Sequence, residues 1–521
     1  MGKLKQQFGQ YMTSSLITDL MVKLITHSKS SEILEPSCGN GAFLQQLKNH
    51  NFTKITSCEI DKKIINPEFN VINTSFISYN PCQKFDVIIG NPPYIRWKNL
   101  EQNLKDELQN CDLWNKYCNS LCDYSTIFIL KSVELLNDEG ELIFITPEYW
   151  LSTTHAQSLR NYLLENGILT HIIRFNETTI FKGVTGSFII FRFIKTQNKK
   201  GQIQITNCNY KKKLTQKVLD EIENHKNCDV FSIPQFNKNQ TWILADTQTQ
   251  EQITKYEKLC TLSNKTSCEL LGDYCHIGNG MVSGLDKAFQ LKDISKLNQE
   301  EKSNIIQVIK AKNINAYFPE KTVPYIFIKK QIDLSLLTQN FPYFYKQLSD
   351  YKDKLENRYN YNHPLNFWEW AFLRNYTLFT SNQDKIFVPC KERITNKNAF
   401  RFCYAQKEIF PTQDVAAIYK KDSTKEDLFY ILALLNSKQV FTWLCHKGIR
   451  KGDIIEFSET PIASIPFRKI DFNNPKEVQL HNKIVSATKS YISTPSKAFL
   501  DSIENYFNEL LSLPEIYRSK V

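Results

Sequence analysis

Residues 85–94 read FDVIIGNPPY, so a run of apolar residues ends at an amide, two prolines and an aromatic ring. The apolar run predicts a buried strand, and open parallel sheets bind their ligands beyond the carboxyl ends of the strands. Because Pro92 and Pro93 have no backbone N–H, the carbonyl groups of this turn remain able to accept hydrogen bonds from a ligand. Asn91 and Pro92 would accept the two hydrogens of an amino group, and Tyr94 offers a flat face to a base.

Short apolar segments lie on both sides of this strand, and several of them are separated by segments in which apolar residues follow helical spacing. The predicted strands are residues 32–36, 54–60, 69–73, 85–90, 141–146, 170–175 and 187–194, and the helical patterns are residues 14–27, 41–50 and 124–136. Strands that alternate with helices predict a doubly wound α/β sheet. No long helix separates the last two strands, which indicates an antiparallel edge.

The length of 521 residues is sufficient for two or three domains. The composition turns polar between residues 195 and 240, where the regular alternation of strands and helices ends. We therefore predict an α/β domain over residues 1–235 and a mixed α+β domain over residues 236–521. We expect several strands in the second domain and at least one firm helix, at residues 425–444.

The charge and the aromatic content favour a nucleic-acid partner. The chain has 65 Lys and Arg residues against 54 Asp and Glu, a net charge of +11, together with 34 Phe, 24 Tyr and 7 Trp. Cations suit phosphates and aromatic rings suit unstacked bases. A chain rich in Lys and Asn can also reflect the composition of its genome, so the charge alone does not decide between these explanations.

The cysteines and the N-terminal sequence predict a cytoplasmic protein without a metal site. The 14 cysteines are scattered among apolar neighbours, the N-terminus lacks the apolar core of a signal peptide, and no apolar stretch approaches the length that crosses a bilayer. Cys111, Cys118 and Cys122 lack the paired short spacing of a tetrahedral zinc site. We expect them to be core thiols.

A glycine-containing loop follows the first predicted strand. Residues 35–43 read EPSCGNGAF, and Gly39 and Gly41 allow a tight turn and a close approach to a ligand at the start of a helix. The second predicted strand ends near Glu59, an acidic residue in a position suited to ribose hydroxyls. Strand, loop and helix in this order predict a cofactor pocket.

Taken together, the motifs EPSCGNGAF, Glu59 and FDVIIGNPPY resemble the gamma class of N6-adenine DNA methyltransferases, the TaqI-like type. Residues 8–13, FGQYMT, match the N-terminal motif of that family, with Ser14 in place of the usual proline, and residues 279–289, NGMVSGLDKAF, resemble a segment of its recognition domains. The resemblance implies a Rossmann-like, S-adenosylmethionine-dependent methyltransferase domain followed by a target-recognition domain. It leaves no room upstream for a fused nuclease, so we expect none.

The resemblance also implies which residues contact S-adenosylmethionine. They are Tyr11, Thr13, Glu35, Pro36, Cys38, Gly39, Gly41, Phe43, Glu59, Ile60, Ser75, Phe76, Asn91 and Pro93. Ser75 departs from the family, which has an acidic residue there to meet the adenine of the cofactor. A serine would make a weaker contact than a carboxylate, whereas Phe76 can still stack on the adenine.

For catalysis, the resemblance assigns Asn91, Pro92, Pro93, Tyr94 and Phe181 to an adenine that has rotated out of the duplex. Asn91 and Pro92 accept the hydrogens of its amino group, Tyr94 stacks on the base, and Phe181 closes the other face. No covalent intermediate is required. Cys82, in a Pro-Cys-Gln tripeptide, resembles the nucleophile of cytosine-C5 methyltransferases, but it precedes the fourth strand and would lie far from the methyl donor.

The expected partner is double-stranded DNA, with a possible cognate restriction endonuclease for the same site and a monomeric chain. Candidate DNA-binding cations are Lys391, Arg393, Lys397, Arg401, Lys447, Arg450 and Lys451. A solitary methylase is equally compatible with the sequence. Two other hypotheses remain: an N-methyltransferase that acts on a glutamine amide of a protein or on RNA, and a catalytically inert DNA-binding specificity subunit.

Overall fold

The computed structural model describes residues 12–176, 178–181, 186–208, 214–262, 265–394, 397–451 and 453–512. The chain divides into two compact units, residues 1–248 and 249–521. The sequence suggests a boundary between residues 235 and 236 instead. Each unit is described by itself.

A nine-stranded sheet organises the first unit. Its strands are β1 (Glu32–Glu35), β2 (Lys54–Glu59), β3 (Ile72–Asn73), β4 (Phe85–Gly90), β5 (Leu136–Pro147), β6 (Gly167–Arg174), β7 (Phe188–Lys195), β8 (Gln202–Cys208) and β9 (Cys228–Pro234). The strand order is β3-β2-β1-β4-β5-β7-β6-β8-β9. The strands from β3 to β5 are parallel, as in a doubly wound sheet.

The far side of the sheet differs from the predicted antiparallel edge. Strand β7 is antiparallel to both β5 and β6, so the antiparallel pairing is confirmed, but β8 and β9 continue the sheet beyond β6. The polar stretch at residues 195–240 therefore contributes two strands to the first sheet. Its signal is the alternation in β8, where Ile203 and Ile205 are fully buried between polar neighbours.

Helices cover both faces of this sheet. They are α1 (Ser15–Lys23), α2 (Ala42–Asn49), α3 (Gln102–Gln109), α4 (Asp112–Tyr117), α5 (Ser125–Leu135), α6 (Gln157–Asn166) and α7 (Gln216–Glu223), with short 3-10 turns at Trp97–Asn99, Glu148–Leu151 and Thr154–Ala156. Val87 and Ile89 of β4 pack with α1, α2 and α7, whereas Ile88 packs with α3, α5 and α6. Because both faces are buried, β4 reads as a continuous apolar run.

The second unit contains three small sheets and a mixed set of helices. Its strands are β10 (Cys275–Asn279), β11 (Ile305–Ile309), β12 (Val323–Ile326), β13 (Lys385–Pro389), β14 (Lys391–Arg393), β15 (Cys403–Ala405), β16 (Ile409–Pro411), β17 (Val415–Lys420), β18 (Arg450–Lys451) and β19 (Ile454–Glu456). The sheets have the orders β10-β17-β13-β15, β12-β11-β16 and β14-β19-β18. The mixed α+β class is confirmed.

The helices of this unit surround those sheets. They are α8 (Thr247–Leu259), which spans the division, α9 (Leu271–Tyr274), α10 (Asp286–Phe289), α11 (Gln299–Ser303), α12 (Leu334–Asn340), α13 (Pro342–Ser349), α14 (Lys352–Glu356), α15 (Tyr376–Phe379), α16 (Leu428–Leu435), α17 (Lys438–Lys447), α18 (Glu459–Ala463), α19 (Pro475–Ser493) and α20 (Lys497–Ser512). Trp368 and Trp370 are buried in the core of this unit.

The predicted helix at residues 425–444 is two helices, α16 and α17, bent by 56°. Ser437 causes the break, because its side chain caps the amide of Val440 at the start of α17. Across the described segments, no single helix is both long enough and apolar enough to cross a bilayer. The two bent helices meet these criteria of length and composition only when they are taken together.

Candidate active site

The glycine loop connects β1 to α2 with two residues in the left-handed region. The φ angles are +56° for Gly39 and +88° for Gly41, conformations that residues with a side chain adopt only with strain. A Cβ atom on Gly41 would lie 2.6 Å from the ring of Phe69, whereas one on Gly39 would meet only the sulfur of Met12, at 3.9 Å. Gly41 is therefore required by packing as well as by the turn.

Glu59, at the carboxyl end of β2, borders this loop. Its carboxylate accepts hydrogen bonds from the amide of Gly39 at 2.8 Å and from the amide of Asp61 at 2.9 Å. The side chain is 6% exposed, and this burial raises the pKa of Glu59 above its usual range, an effect that the two amides oppose. The loop and the acid thus form one hydrogen-bonded unit.

Glu35 lies beneath the same loop as a second acidic group. It is 1% exposed, and within the described part of the chain its Oε2 atom has no hydrogen-bond partner. Burial, and then the charge of Glu59, raise the pKa of Glu35 well above its usual range. Two acidic groups this close disfavour each other's charge, so the site fits a ligand that carries positive charge.

The Asn-Pro-Pro-Tyr corner follows β4, as predicted. The Asn91 amide nitrogen donates to the Thr13 hydroxyl at 3.0 Å, and Asn91 Oδ1 accepts from the Tyr94 hydroxyl. The same Tyr94 hydroxyl contacts the Ile145 carbonyl oxygen of β5 at 2.5 Å. The Ser37 hydroxyl of the glycine loop donates to the Asn91 carbonyl oxygen at 3.2 Å. The corner is thus tied to the loop and to its neighbouring strand.

A pocket joins the loop, the acid and the corner, and its space, including the open mouth, is about 680 Å³. Eight of the predicted cofactor residues line it: Pro36, Gly39, Glu59, Ile60, Ser75, Phe76, Asn91 and Pro93. Six residues that were not among the predicted cofactor contacts also line it: Met12, Ile64, Ile95, Leu104, Tyr124 and Phe128. Leu104 lies on α3 and Phe128 on α5, outside every recognised motif. Tyr124 and Phe128 fall in the predicted helical pattern at residues 124–136, and Met12 falls in the N-terminal motif at residues 8–13.

Other predicted cofactor residues lie away from the pocket wall. Phe43 is 2% exposed and packs in the core, because the first turn of α2 directs it toward the sheet, and its contact with the cofactor stays a prediction. Cys38 is buried, and this burial raises the pKa of its thiol. Thr13 binds Asn91, and Tyr11 lies outside the described residues.

Ser75, which replaces the acidic residue of the family, has a carboxylate behind it. Its hydroxyl donates to Glu107 of α3 at 2.8 Å, and the Ser78 hydroxyl donates to the other oxygen of Glu107. Glu107 belongs to no recognised motif. The acidic group that Ser75 lacks is therefore present one side chain further from the pocket.

The two aromatic residues predicted to hold a base are packed through a third ring. Phe181 is 3% exposed, and its ring lies edge-on to Phe188 at 4.9 Å between centroids. Tyr94 lies 5.8 Å from the same Phe188 ring. Phe181 is therefore a core residue in this arrangement, and its contact with a base stays a prediction.

Two further expectations concern Cys82 and a metal site. Cys82 is exposed at the amino end of β4, opposite the end at which Asn91 stands, so the structure confirms that it is remote from the pocket. Among the residues whose placement is described, no cluster of His, Cys, Asp and Glu could hold a metal ion.

Several of the predicted DNA-binding cations are paired with carboxylates. Glu392 is 3% exposed and accepts hydrogen bonds from Lys397, at 2.9 Å, and from the Arg401 guanidinium. Lys391 and Arg393, on either side of Glu392 in β14, point outward and are exposed. In the same unit, Lys447 pairs with Glu257 at 2.6 Å and Arg450 with Asp453 at 3.0 Å, while Lys451 is described by its backbone alone.

Known proteins resemble this chain along most of its length. The model of the Eco57I restriction-modification methylase family matches residues 14–181. The Type II methyltransferase M.HindII of Haemophilus influenzae is 44% identical over 508 residues, which cover 96% of either chain. M.HincII, also of Haemophilus influenzae, is 42% identical over 499 residues, again 96% of either chain.

A solved structure shares the fold at much lower identity. The Type IIL restriction-modification enzyme MmeI, solved in complex with DNA, has a TM-score of 0.58 and 12% identity, and the match covers 97% of this chain and 74% of that one. Because the chain is a relative of these methyltransferases, its cofactor is S-adenosylmethionine. The pocket fits this positively charged nucleoside, since Glu59 lies on its wall and Glu35 lies beneath it. The chain belongs to the Type II DNA methyltransferases of restriction-modification systems.

Proposed function

We propose that this enzyme transfers the methyl group to N6 of an adenine that has rotated out of duplex DNA, within a short recognition sequence. The observation that carries the proposal is the Asn-Pro-Pro-Tyr corner, whose Asn91 and Pro93 line the same pocket as Gly39 and Glu59. A pocket that ends at hydrogen-bond acceptors suits an amino group as the methyl acceptor. This is the chemistry of the adenine-specific class of site-specific DNA methyltransferases.

The acceptors would act on the target nitrogen. The lone pair of an exocyclic amine is delocalised into the ring, which makes the nitrogen a poor nucleophile. Asn91 Oδ1 has two lone pairs, so it can accept from the target while it accepts from Tyr94. Among the described residues, no donor reaches the Pro92 carbonyl, which leaves it available for the second hydrogen. Two acceptors would favour a pyramidal nitrogen that is aimed at the methyl group.

The fixed orientation of Asn91 supports this role. Its amide nitrogen is engaged by Thr13 and its oxygen by Tyr94, so the side chain is held before a substrate arrives. A preorganised acceptor loses little conformational freedom when the substrate binds. S-Adenosylmethionine supplies an electrophilic methyl group when it is bound, and the corner positions the amine that receives it.

A base inside the duplex cannot reach this corner, because its amino group is paired. Rotation out of the helix costs a few kcal/mol, which stacking on an aromatic ring offsets. Tyr94 is half-buried and is held at its hydroxyl by Asn91 and Ile145 and beside its ring by Phe188, and its ring is the stacking surface in this proposal. Phe181 would reach the base only after it leaves its contact with Phe188.

We assign selection of the DNA site to the second unit, with the exposed Lys391 and Arg393 as the first candidates for phosphate contacts. The proposal places the enzyme in the cytoplasm as a monomer that protects DNA against a cognate restriction endonuclease. A solitary methylase would use the same site in the same way.

The identity of the methylated group can be tested directly. The purified protein is incubated with tritiated S-adenosylmethionine and bacterial duplex DNA, and the DNA is digested to nucleosides for chromatography. We expect the label in N6-methyladenine. Label in N4-methylcytosine or C5-methylcytosine would refute the choice of base. Label in release factor or RNA would favour the rival N-methyltransferase, and no label in any substrate would favour an inert specificity subunit.

The role of Asn91 can be tested separately. Asn91→Ala should bind DNA like the native protein but lose methyl transfer by about a hundredfold or more, since one acceptor and the preorganised geometry are gone. Asn99→Ala changes an exposed asparagine of the same unit and serves as the control. Near-normal single-turnover rates in Asn91→Ala would rule out the role that we give to Asn91.

A further inference from the structure

Three aromatic rings form a continuous row on the surface of the second unit, and we call this row the aromatic ladder. The Tyr359 ring lies edge-on to the Tyr361 ring at 4.7 Å between centroids, and the Tyr361 ring stacks on the Phe372 ring at 4.8 Å. Tyr359 is 68% exposed and Phe372 is 38% exposed, and the neighbouring Leu373 is exposed as well. Contiguous exposed apolar groups mark interaction surfaces, whereas scattered ones need no explanation.

The loop that carries the middle ring is strained and closed from beneath. The φ angles are +54° for Tyr361 and +63° for Asn362, in the left-handed region that a residue with a large side chain rarely adopts. The Arg358 guanidinium donates to the carbonyl oxygens of Asn366, at 3.0 Å, and of Glu369, which closes the loop. Because strain of this kind persists only where the surroundings impose it and is concentrated at functional sites, it points to a role for the exposed Tyr361 ring.

Two contacts fix the aromatic ladder to residues 279–289, the segment that resembles part of the recognition domains. The backbones of Phe372 and Val282 exchange hydrogen bonds of 2.9 and 3.0 Å. The Arg358 side chain packs against Gly284, where a Cβ atom would lie only 2.6 Å from the Arg358 Cδ atom. The ladder is therefore part of the same surface as this segment.

Cations continue the aromatic ladder toward β14. The Arg374 guanidinium lies 5.6 Å from the Phe372 ring centroid, a cation–π contact. Burial raises the pKa of the Cys390 thiol to about 11, and the charges of Arg374 and Lys391 oppose this rise, so both cations lie near Cys390. Arg393 is exposed on the same side of β14 as Lys391. Rings and cations thus occupy adjoining parts of this unit.

We propose that the aromatic ladder is a stacking surface for a base of the bound DNA, with Tyr359 as the contacting ring and Arg374 at a phosphate of the same strand. Every base has a π face, so stacking adds affinity that does not depend on charge. The adjoining cations favour DNA over a protein surface as the occupant. The inference rests on the proposed assignment of DNA binding to the second unit, and it is independent of which base is methylated.

The salt dependence of binding separates a ring contact from a phosphate contact. The full chain with S-adenosylhomocysteine is titrated onto a labelled duplex that carries the site methylated by the native enzyme, at about 50 to 200 mM salt. Tyr359→Ala should weaken binding about 5- to 100-fold at every salt concentration and leave the slope of log affinity against log salt unchanged, because one base–ring stack is lost. Tyr359→Phe keeps the ring and should retain most of the affinity, whereas Tyr345→Ala changes an exposed tyrosine of α13 and serves as the control.

Arg374→Gln should instead make the slope shallower by about 0.9, the change expected for one phosphate contact. Unchanged affinity in Tyr359→Ala, or an affinity loss that disappears at high salt, would overturn the proposal. If Lys391→Gln makes the slope shallower while Tyr359→Ala has no effect, only the ladder inference fails. If none of these variants weakens binding, the assignment of DNA binding to the second unit fails with it.

Two substitutions of Tyr361 separate DNA binding from folding. Tyr361→Gly and Tyr361→Ala both remove the ring, but glycine adopts a φ of +54° without strain, so the glycine variant should unfold at the higher temperature. Both variants should weaken DNA binding equally, by about fivefold or more, because Tyr359 loses the ring that supports it. A DNA affinity that follows the unfolding temperature would contradict the proposal. Native DNA affinity together with a change from dimer to monomer in sedimentation would overturn it in favour of a second copy of the chain.

Discussion

Both glycines of the cofactor loop have a left-handed backbone, but only Gly41 has no space for a Cβ atom. Alanine at each position therefore separates the cost of backbone strain from the cost of overpacking. In Gly41→Ala, the new Cβ would lie 2.6 Å from two atoms of the Phe69 ring while φ stays at +88°. The left-handed conformation costs roughly 1–2 kcal/mol for a residue with a side chain, and forced overpacking roughly 1–3 kcal/mol. The free energy of unfolding should therefore fall by about 2–5 kcal/mol.

Gly39→Ala is the matched comparison, because its Cβ would meet only the Met12 sulfur at 3.9 Å, an ordinary contact. Only the cost of the left-handed conformation remains, so the free energy of unfolding of Gly39→Ala should fall by about 1–2 kcal/mol. Thermal unfolding monitored by near-ultraviolet circular dichroism measures the difference, and each kcal/mol corresponds to about 2–4 °C in a unit of this size.

Phe69 provides the control for the packing term. In a double-mutant cycle, Phe69→Ala should be less harmful in the Gly41→Ala background than in the native one, with a coupling of about 1–3 kcal/mol. The Lys48 ammonium lies 4.4 Å from the Phe69 ring centroid, and that contact is lost equally in both backgrounds. Equal losses for the two alanines, or no coupling with Phe69, would refute the packing argument.

Three further predictions concern single side chains. Tyr94→Phe keeps the stacking ring but removes the hydroxyl that contacts Asn91 and Ile145, so single-turnover methyl transfer should fall about tenfold with little change in cofactor affinity, and an unchanged rate would contradict the positioning role. Because burial raises the pKa of Glu35 while a cationic cofactor favours its carboxylate, S-adenosylmethionine affinity should rise with pH in calorimetry, and Glu35→Gln should show a smaller rise, due to Glu59, whose pKa burial also raises. Burial lowers the pKa of Lys385 from 10.5 to about 8, so the unfolded chain holds more protons between these values and stability should rise with pH there; denaturation of Lys385→Met should lack that rise.

The strands with continuous apolar runs could be predicted from the sequence, because burial on both faces of a sheet leaves a strong signal. Strand β4 falls at residues 85–90, as the sequence suggests. Strands β8 and β9 were missed, since polar residues alternate with Ile203 and Ile205 beside lysine-rich segments. The break between α16 and α17 was missed as well, because the helical pattern continues across Ser437 while its side chain begins a new helix.

The site was predictable where motif residues stand at the carboxyl ends of neighbouring strands. Gly39, Glu59 and Asn91 follow neighbouring strands, so the sheet itself brings them together. Glu107 stands on α3 behind the pocket and Tyr124 directly precedes α5, and no local spacing marks a side chain whose partner is a serine in a distant segment. The same holds for Lys397 and Arg401, because the sequence does not show that a buried glutamate faces them.

The placement of β7 also sets the spacing of the two aromatic side chains assigned to the base. Pro147 at the end of β5 pairs with Phe188 at the start of β7, and Phe188 contacts both Tyr94 and Phe181. A slip of one residue in this pairing would turn Phe188 to the opposite face of the sheet and separate the two rings. Insertions or deletions between β6 and β7 can therefore be tolerated only if β7 keeps its register. The same change inside β7 would move Phe188 and break its contacts with Tyr94 and Phe181.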